Sequence, residues 1–344
     1  MVDRRGQALS RVLFRVAGGP RVGFGHIRRC WTLANQLEQE EREILFTADS
    51  EQAVSVLTRA GFSTRLETPG GLETTVGLLG KSPEKTLCVA DDPALGPEQL
   101  KLLADVVPTV CIDDTADRFF PVDCVVNGSA GIERRSLRGR PDTQFLLGAG
   151  YILLRPEFAE PPRRLFSKSI GRVLLLAGGG EADRFIRKSL ETVFVSLGDV
   201  RVDLVVGPFG TVPDGIPASV GIHREPPDIR PLMLQADLAI SAGGQTLYEL
   251  AAAAAPTIGI QTAENQKPNL DGLSEAGAII FIGGSESADF AARLKRTLHQ
   301  LSDDPGIRQT LGEGGRKTVD GNGTERVARH LNGLIDSKRE LLTG

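Results

Sequence analysis

The sequence predicts an α/β protein built from two doubly wound halves, and three observations lead there. Short apolar, strand-like runs alternate with helix-like runs over nearly the whole length, the mark of parallel sheets covered by helices. The alternation breaks once, in a proline-rich and basic stretch at 151–169, and then resumes. Glycine-rich turns stand at the junctions of predicted strands and helices in both halves, where doubly wound sheets bind ligands.

In the first half, strands are expected at 11–16, 43–46, 86–90, 109–112 and 124–127, with helices at 27–40, 52–60 and 97–104. Pro156, Pro161, Pro162, Arg163 and Arg164 then read as an interdomain linker. In the second half, strands are expected at 172–176, 202–206, 238–241, 257–260 and 278–282. Its helices are expected at 181–197, 229–235, 247–255, 266–276 and 288–301, and the tail at 324–342 is also helical in pattern. The expected division is a Rossmann-like domain at 1–160, a second at 161–323, and a final helix at 324–344. A ligand is expected in a cleft between the two domains, at the carboxyl ends of their strands.

Composition sets the class. A chain of 344 residues, 40% hydrophobic and 24% charged, has enough apolar material for two ordinary cores. A net charge of -4 gives no reason to expect a nucleic-acid partner, and Arg134, Arg135, Arg138 and Arg140 read as a solvated loop. Cys30, Cys88, Cys111 and Cys124 are scattered, with no CxxC pair. That argues against a zinc site or a disulfide framework. No signal peptide and no membrane span is expected, which points to the cytoplasm. No cofactor and no metal is expected. The nearest acidic pair, Asp113-Asp114, reads as a strand end with a turn.

The most informative segment is Gly23-Phe24-Gly25-His26-Ile27-Arg28-Arg29-Cys30. It follows the apolar run Val12-Leu13-Phe14 and opens an amphipathic stretch. Glycines let backbone approach a ligand, and a helix N-terminus presents N–H groups to an anion. His26 in the first turn is suited to move a proton near neutral pH. The alternative is an ordinary turn with a surface histidine.

A second turn, Ala242-Gly243-Gly244-Gln245-Thr246, follows the strand-like Leu238-Ala239-Ile240-Ser241. Its backbone and the Thr246 hydroxyl are placed to meet a phosphate. Glu249 lies one turn further on nearly the same face, suited to a ribose diol. The alternative is a capping box between Thr246 and Glu249. A third turn, Ala177-Gly178-Gly179-Gly180, resembles a dinucleotide phosphate turn, but Glu181 and Ala182 break that fingerprint, so NAD is not expected. Asn265 and Gln266, within Glu264-Asn265-Gln266-Lys267, offer uncharged donors and acceptors for pyrophosphate, sugar hydroxyls or an oxyanion. The alternative there is a helix N-cap by Asn265.

Five motifs occur in order: Gly23-Phe24-Gly25-His26 with Arg29-Cys30, Ile112-Asp113-Asp114 with Ala116-Asp117-Arg118, Leu153-Leu154-Arg155-Pro156-Glu157-Phe158, Ala242-Gly243-Gly244 with Glu249, and Asn265-Gln266. Together they resemble the UDP-sugar hydrolases of the pseudaminic-acid pathway and the related spore-coat polysaccharide (SpsG-like) proteins. Those in turn resemble the MurG-type glycosyltransferases of the GT-B fold. The resemblance spans roughly residues 11 to 300.

The resemblance implies a GT-B-like architecture whose last helix packs back on the first domain. It also implies release of UDP from a UDP-linked diacetamido trideoxy sugar, by water attack at the anomeric carbon. His26 would be the general base. Gly243, Gly244, Gln245 and Thr246 would cradle the diphosphate, and Glu249 would hold the ribose. Gly25, Arg15, Gly178, Gly179, Asn265 and Gln266 would line the cleft, and the base would dock near backbone 224–227. Two positions depart from the family pattern: Ala17 stands where an aspartate is usual, and Pro93 follows Asp91-Asp92 where a tyrosine is usual. Two other readings fit the same residues. One is a glycosyltransferase with the same donor site, and the other a noncatalytic nucleotide-sugar binding protein. The oligomeric state is not indicated by the sequence.

Overall fold

The computed structural model describes residues 10–19, 22–178, 182–207 and 210–343, the last seven of these as backbone only. The described chain divides into two compact units. The first takes the described residues up to Gly128, then Ile132–Leu153, and those from Asn322 onward. The second takes Ser129–Gly131 and Leu154–Gly321.

The first unit holds strands β1 (Arg11–Val16), β2 (Glu43–Ala48), β3 (Ser63–Leu66), β4 (Thr86–Asp91), β5 (Thr109–Ile112), β6 (Phe119–Phe120), β7 (Cys124–Asn127), β8 (Arg138–Gly139) and β9 (Gln144–Leu147). Seven of them form a parallel sheet in the order β3-β2-β1-β4-β5-β7-β9, while β6 pairs with β8. Its helices are α1 (Gly25–Gln39), α2 (Glu51–Arg59), α3 (Glu73–Leu79) and α4 (Pro97–Val106). In β1, Val12, Phe14 and Val16 point into one core with α1 residues Ile27, Cys30, Leu33 and Leu37. Leu13 points the other way, into a core with Cys88, Ala90, Leu100 and Leu103. This two-sided burial makes the strand apolar at nearly every position. Arg15 shares the face of Leu13 because side chains alternate along a strand.

The second unit holds β10 (Arg172–Leu176), β11 (Arg201–Val206), β12 (Val220–Arg224), β13 (Leu238–Ala242), β14 (Thr257–Gln261) and β15 (Ile280–Gly284). All pair in parallel, in the order β12-β11-β10-β13-β14-β15. The chain order crosses over between β10 and β13, which creates a switch point beside the ends of those strands. Helices α5 (Asp183–Leu197), α6 (Arg230–Gln235), α7 (Thr246–Ala252), α8 (Lys267–Glu275), α9 (Phe290–Asp303) and α10 (Pro305–Thr318) cover the sheet. Asp304 caps α10 through the N–H groups of Gly306 and Ile307, and Pro305 at the first helical position needs no donor partner.

Helix α11 (Gly323–Thr343) returns to the first unit. Val327, Ala328, Leu331 and Ile335 enter the core that α1 occupies. Asn332 accepts from Arg42 Nε at 2.9 Å and donates to Glu40. The proline-rich stretch is more ordered than a bare tether. Leu153, Leu154 and Phe158 are buried, Pro156–Phe158 forms a 3-10 turn, and Arg316 donates to the carbonyls of Phe158 and Ala159. The described helices include none long and apolar enough to cross a membrane.

Candidate functional site

In the first unit, β1 runs into a tight loop closed by reciprocal backbone hydrogen bonds between Gly19 and Gly23. Gly23 has φ +88°, a conformation that only glycine adopts without strain. The chain enters α1 at Gly25, and no side chain caps this helix. A Cβ at Gly25 would meet nothing within 4 Å, so the first turn stands open to an incoming group.

His26 is the second residue of α1, with its side chain 18% exposed. Its Nδ1 lies 2.7 Å from Asp91 Oδ1 at the end of β4. Arg29 and Cys30, three and four residues on, share this helix face. Arg29 grips the same carboxylate with two bonds, Nε to Oδ2 at 2.6 Å and Nη2 to Oδ1 at 2.6 Å. Its Nη1 reaches both oxygens of Asp114 at 2.7 Å. Cys30 Sγ completes the shell around Asp91 at 3.3 Å.

The electrostatics follow from that shell. Burial alone would raise the Asp91 carboxyl, but Arg29 and His26 outweigh it and hold it well below the usual carboxylate range. Burial would likewise lower Arg29, yet Asp114 and Asp91 raise its guanidinium well above the ordinary value. Arg29 Nη2 also approaches His26 Nδ1, at 2.9 Å. The ionised carboxylate is the nearer partner, so Nδ1 carries the proton and donates it to Asp91. Nε2 is then the basic nitrogen.

Arg15 is placed apart from this cluster. It is fully buried on the opposite face of the sheet, where its Nη2 pairs with Asp92 Oδ2 at 2.8 Å. The expected lining role requires an exposed guanidinium, and this one is enclosed. Asp113 organises a turn, accepting from the N–H groups of Thr115 and Ala116, as the strand-end reading has it, while Asp114 joins the Arg29 cluster. Ala17 donates its backbone N–H to the Asp91 carbonyl at 3.0 Å.

In the second unit, the turn after β13 is tied to the loop after β14. Gln266 Oε1 accepts from the N–H of Gly243 at 3.2 Å, and from Thr262 N at 2.9 Å and Thr262 Oγ1 at 3.1 Å. A Cβ at Gly243 would sit 2.7 Å from Leu270 Cδ1 and 2.8 Å from Gln266 Cβ, so the close approach of α8 requires glycine here. Gly244 differs: a Cβ there would meet nothing within 4 Å. Thr246 is the first residue of α7 and not its cap, and the cap residue Gln245 makes no side-chain cap bond. The capping box is therefore not the arrangement found. Asn265 is exposed in the 3-10 turn Glu264–Gln266, and the cap position of α8 falls to Gln266.

Glu249 is 3% exposed. The guanidinium of Arg155 lies 3.5 Å from its Oε1. The same guanidinium donates to the Pro227 carbonyl at 3.1 Å and pairs with Glu157 at 3.1 Å. Arg155 thus joins the expected ribose carboxylate to the backbone expected to meet the base. Gly178 has φ +81° and lies beside Ala242 at the neighbouring strand end. Gly179 lies outside the described residues. A cavity of about 420 Å³ opens beside Thr262, Ser285, Asp183 and Arg184.

Arg29, Cys30, Asp91 and Arg155 carry no role in the sequence alone, and Asp114 reads there only as part of a strand-end turn. The signal available was the i, i+3, i+4 spacing of His26, Arg29 and Cys30. Among the described residues, no group of three or more His, Cys, Asp or Glu is arranged to hold a metal ion.

No family model matches the chain. The chain is 27% identical over 227 residues to the spore coat polysaccharide biosynthesis protein SpsG of Bacillus subtilis, covering 63% of this chain and 66% of that protein. It is 25% identical over 251 residues to a Helicobacter pylori protein named pseudaminic acid cytidylyltransferase and UDP-2,4-diacetamido-2,4,6-trideoxy-beta-L-altropyranose hydrolase, covering 71% of this chain and 43% of that one. The matched region thus spans less than two thirds of the length of these relatives. Among solved structures, MurG of Acinetobacter baumannii superposes with a TM-score of 0.65 at 14% identity, covering 94% of this chain and 99% of that one. The two parallel sheets and these likenesses identify the fold of this chain as GT-B.

Proposed function

We propose that this protein is a nucleotide-sugar hydrolase that releases UDP from a UDP-linked acetamido deoxy sugar. The single observation that carries this reading is the His26–Asp91 pair at an uncapped helix start. With Nδ1–H directed at an ionised carboxylate, His26 Nε2 takes a proton from water as the oxygen attacks the anomeric carbon. The bond from that carbon to the diphosphate oxygen breaks, and UDP leaves with the electron pair. Asp91 stabilises the imidazolium that forms, and Arg29 keeps Asp91 ionised and in place. The open backbone at Gly244, with Gln245 and Thr246, is assigned to the diphosphate, and Glu249 to the ribose hydroxyls. Gly243 and Gln266 shape that turn, and Asn265 stands on the loop beside it. The likeness to the SpsG protein and to the hydrolase-containing relative supports this assignment.

A second reading keeps the donor site and replaces water with an alcohol or amine acceptor. It is favoured by the GT-B fold, which MurG of Acinetobacter baumannii shares. Turnover in ¹⁸O-labelled water separates the two. Hydrolysis places ¹⁸O on the sugar product and none on UDP, with no acceptor added. Release of UDP only when an acceptor is present would establish the transferase. Nucleotide binding without release under either condition would leave a binding protein.

A further inference from the structure

Neighbouring aspartates at the end of β5 serve different partners. Asp113 is 2% exposed and accepts from Thr115 N at 3.0 Å and Ala116 N at 2.6 Å. Ala116 has φ +56°, a conformation that a residue other than glycine holds only where its surroundings impose it. The two bonds from Asp113 impose it here. Asp114, next in the chain, takes Arg29 Nη1 on both of its oxygens at 2.7 Å.

Arg118 closes this turn onto the loop after β4. Its Nη2 donates to Asp113 Oδ1 at 3.0 Å. Its Nη1 donates to the Leu95 carbonyl, and to that of Pro93 at 3.3 Å. The side chain is 13% exposed, and its guanidinium carbon lies 5.8 Å from the centre of the Phe120 ring. A planar guanidinium with donors in fixed directions can hold a carboxylate and backbone carbonyls at once. The loop it holds begins at Asp92, beside Asp91, and Asp92 Oδ1 accepts from Ala94 N at 2.8 Å.

These contacts form a closed ring within the first unit. It runs from Asp91 along 92–95 to Arg118, on to Asp113 and Asp114, and back to Asp91 through Arg29. His26 joins the ring where Asp91 and Arg29 meet. Of the two carboxylates that hold Arg29, Asp91 stands on a strand. Asp114 stands on the turn and its side chain is half-exposed, so its place depends on what fixes the turn.

We infer that Arg118 is a positioning residue for His26. By fixing the turn at 113–118 it sets Asp114, and through Asp114 the orientation of Arg29 and of the carboxylate that keeps the proton on His26 Nδ1. Neither Arg118 nor Asp113 touches His26, so the effect passes through Asp114 and Arg29.

Nitrogen-15 NMR of the full chain labelled at histidine tests this, because the ring-nitrogen shifts report which nitrogen carries the proton. The chain has four histidines, and the His26 signals are those lost in His26→Gln. The wild-type chain is expected to hold His26 as the Nδ1–H tautomer. Arg118→Met and Asp114→Asn are each expected to shift it to a mixture of the two tautomers. Each is also expected to slow release of UDP from the UDP-linked sugar about tenfold, with KM changed less than about threefold. The double variant is expected to be little slower than either single one. The kinetic part rests on the proposed hydrolysis, whereas the tautomer does not: a wild-type chain that releases no UDP would end the hydrolase reading and leave the tautomer shift to decide the role of Arg118. An undisturbed Nδ1–H tautomer in Arg118→Met, or additive losses in the double variant, overturns the inference. Should Arg118→Met not fold, an undisturbed tautomer in Asp114→Asn overturns it.

Discussion

His26 Nδ1 and Asp91 Oδ1 lie 2.7 Å apart although 65 positions separate them in the chain. The first turn of α1 brings one and the end of β4 the other, and Arg29 holds both oxygens of the same carboxylate. A histidine held this way has one nitrogen fixed as a donor and the other left for chemistry.

Asp91→Asn removes the charge and keeps the shape. Turnover is expected to fall about 10²–10⁴-fold, as is that of His26→Ala. The affinity for UDP is expected to stay within about threefold, because neither residue is assigned to the nucleotide. Steady-state UDP release together with UDP titration checks both. Unchanged turnover in His26→Ala would remove this residue from the mechanism.

Arg29 serves stability as well as orientation. Arg29→Met leaves the Asp91 carboxylate, 1% exposed, without its main counter-charge. Breaking a buried ion pair from one side typically costs about 3–5 kcal/mol. Asp114→Asn touches the half-exposed end of the same network and is expected to cost less than about 1 kcal/mol. Urea unfolding of both variants checks the ordering.

Glu249 and Arg155 make a paired prediction. Glu249→Ala is expected to weaken UDP binding about tenfold if its carboxylate holds the ribose. Arg155→Met frees that carboxylate from its 3.5 Å ion pair and from the link to Pro227. It is expected to change UDP affinity in the wild-type background and to change it little in the Glu249→Ala background. Additive effects in this double-mutant cycle would show that the two residues act separately.

Stability is expected to fall at both ends of the pH scale. The Asp91 carboxyl is depressed in the folded protein, so its contribution is present above about pH 4 and lost as pH falls below that. The Cys88 and Cys124 thiols are buried, and burial pushes both up to about 12. Their contribution is present below about pH 8.5 and lost as pH rises toward 12, because the unfolded thiols ionise first. Urea midpoints at pH 3, 7 and 10 check this. A thiol reagent should meanwhile react with none of the four buried cysteines until the chain unfolds.

What the sequence revealed, and what it hid, divides along the range of the interactions. Strand, turn and helix around Gly23–His26 and around Gly243–Thr246 were legible, because local spacing decides them. Asp91 was not assigned, because its role depends on a contact across 65 residues that no local pattern encodes. Arg15 entered the expected cleft lining through the family resemblance alone, and its burial against Asp92 is again a contact that no local pattern encodes. Helix α10 was not expected, since Gly306, Gly312, Gly314 and Gly315 lower its helix propensity. The structure shows what they provide: a Cβ at Gly312 would sit 2.5 Å from the Ala254 carbonyl oxygen, and one at Gly314 2.4 Å from that of Gly277. Strand β3 escaped notice because its side chains are mostly exposed at the sheet edge.

The most direct measurement is calorimetric titration of the full chain with UDP, with CMP, ADP and GDP as comparisons. The account predicts selective binding of UDP, lost or much weakened in Glu249→Ala. Absence of binding by every nucleotide would contradict the nucleotide-sugar reading and leave a GT-B fold put to another use.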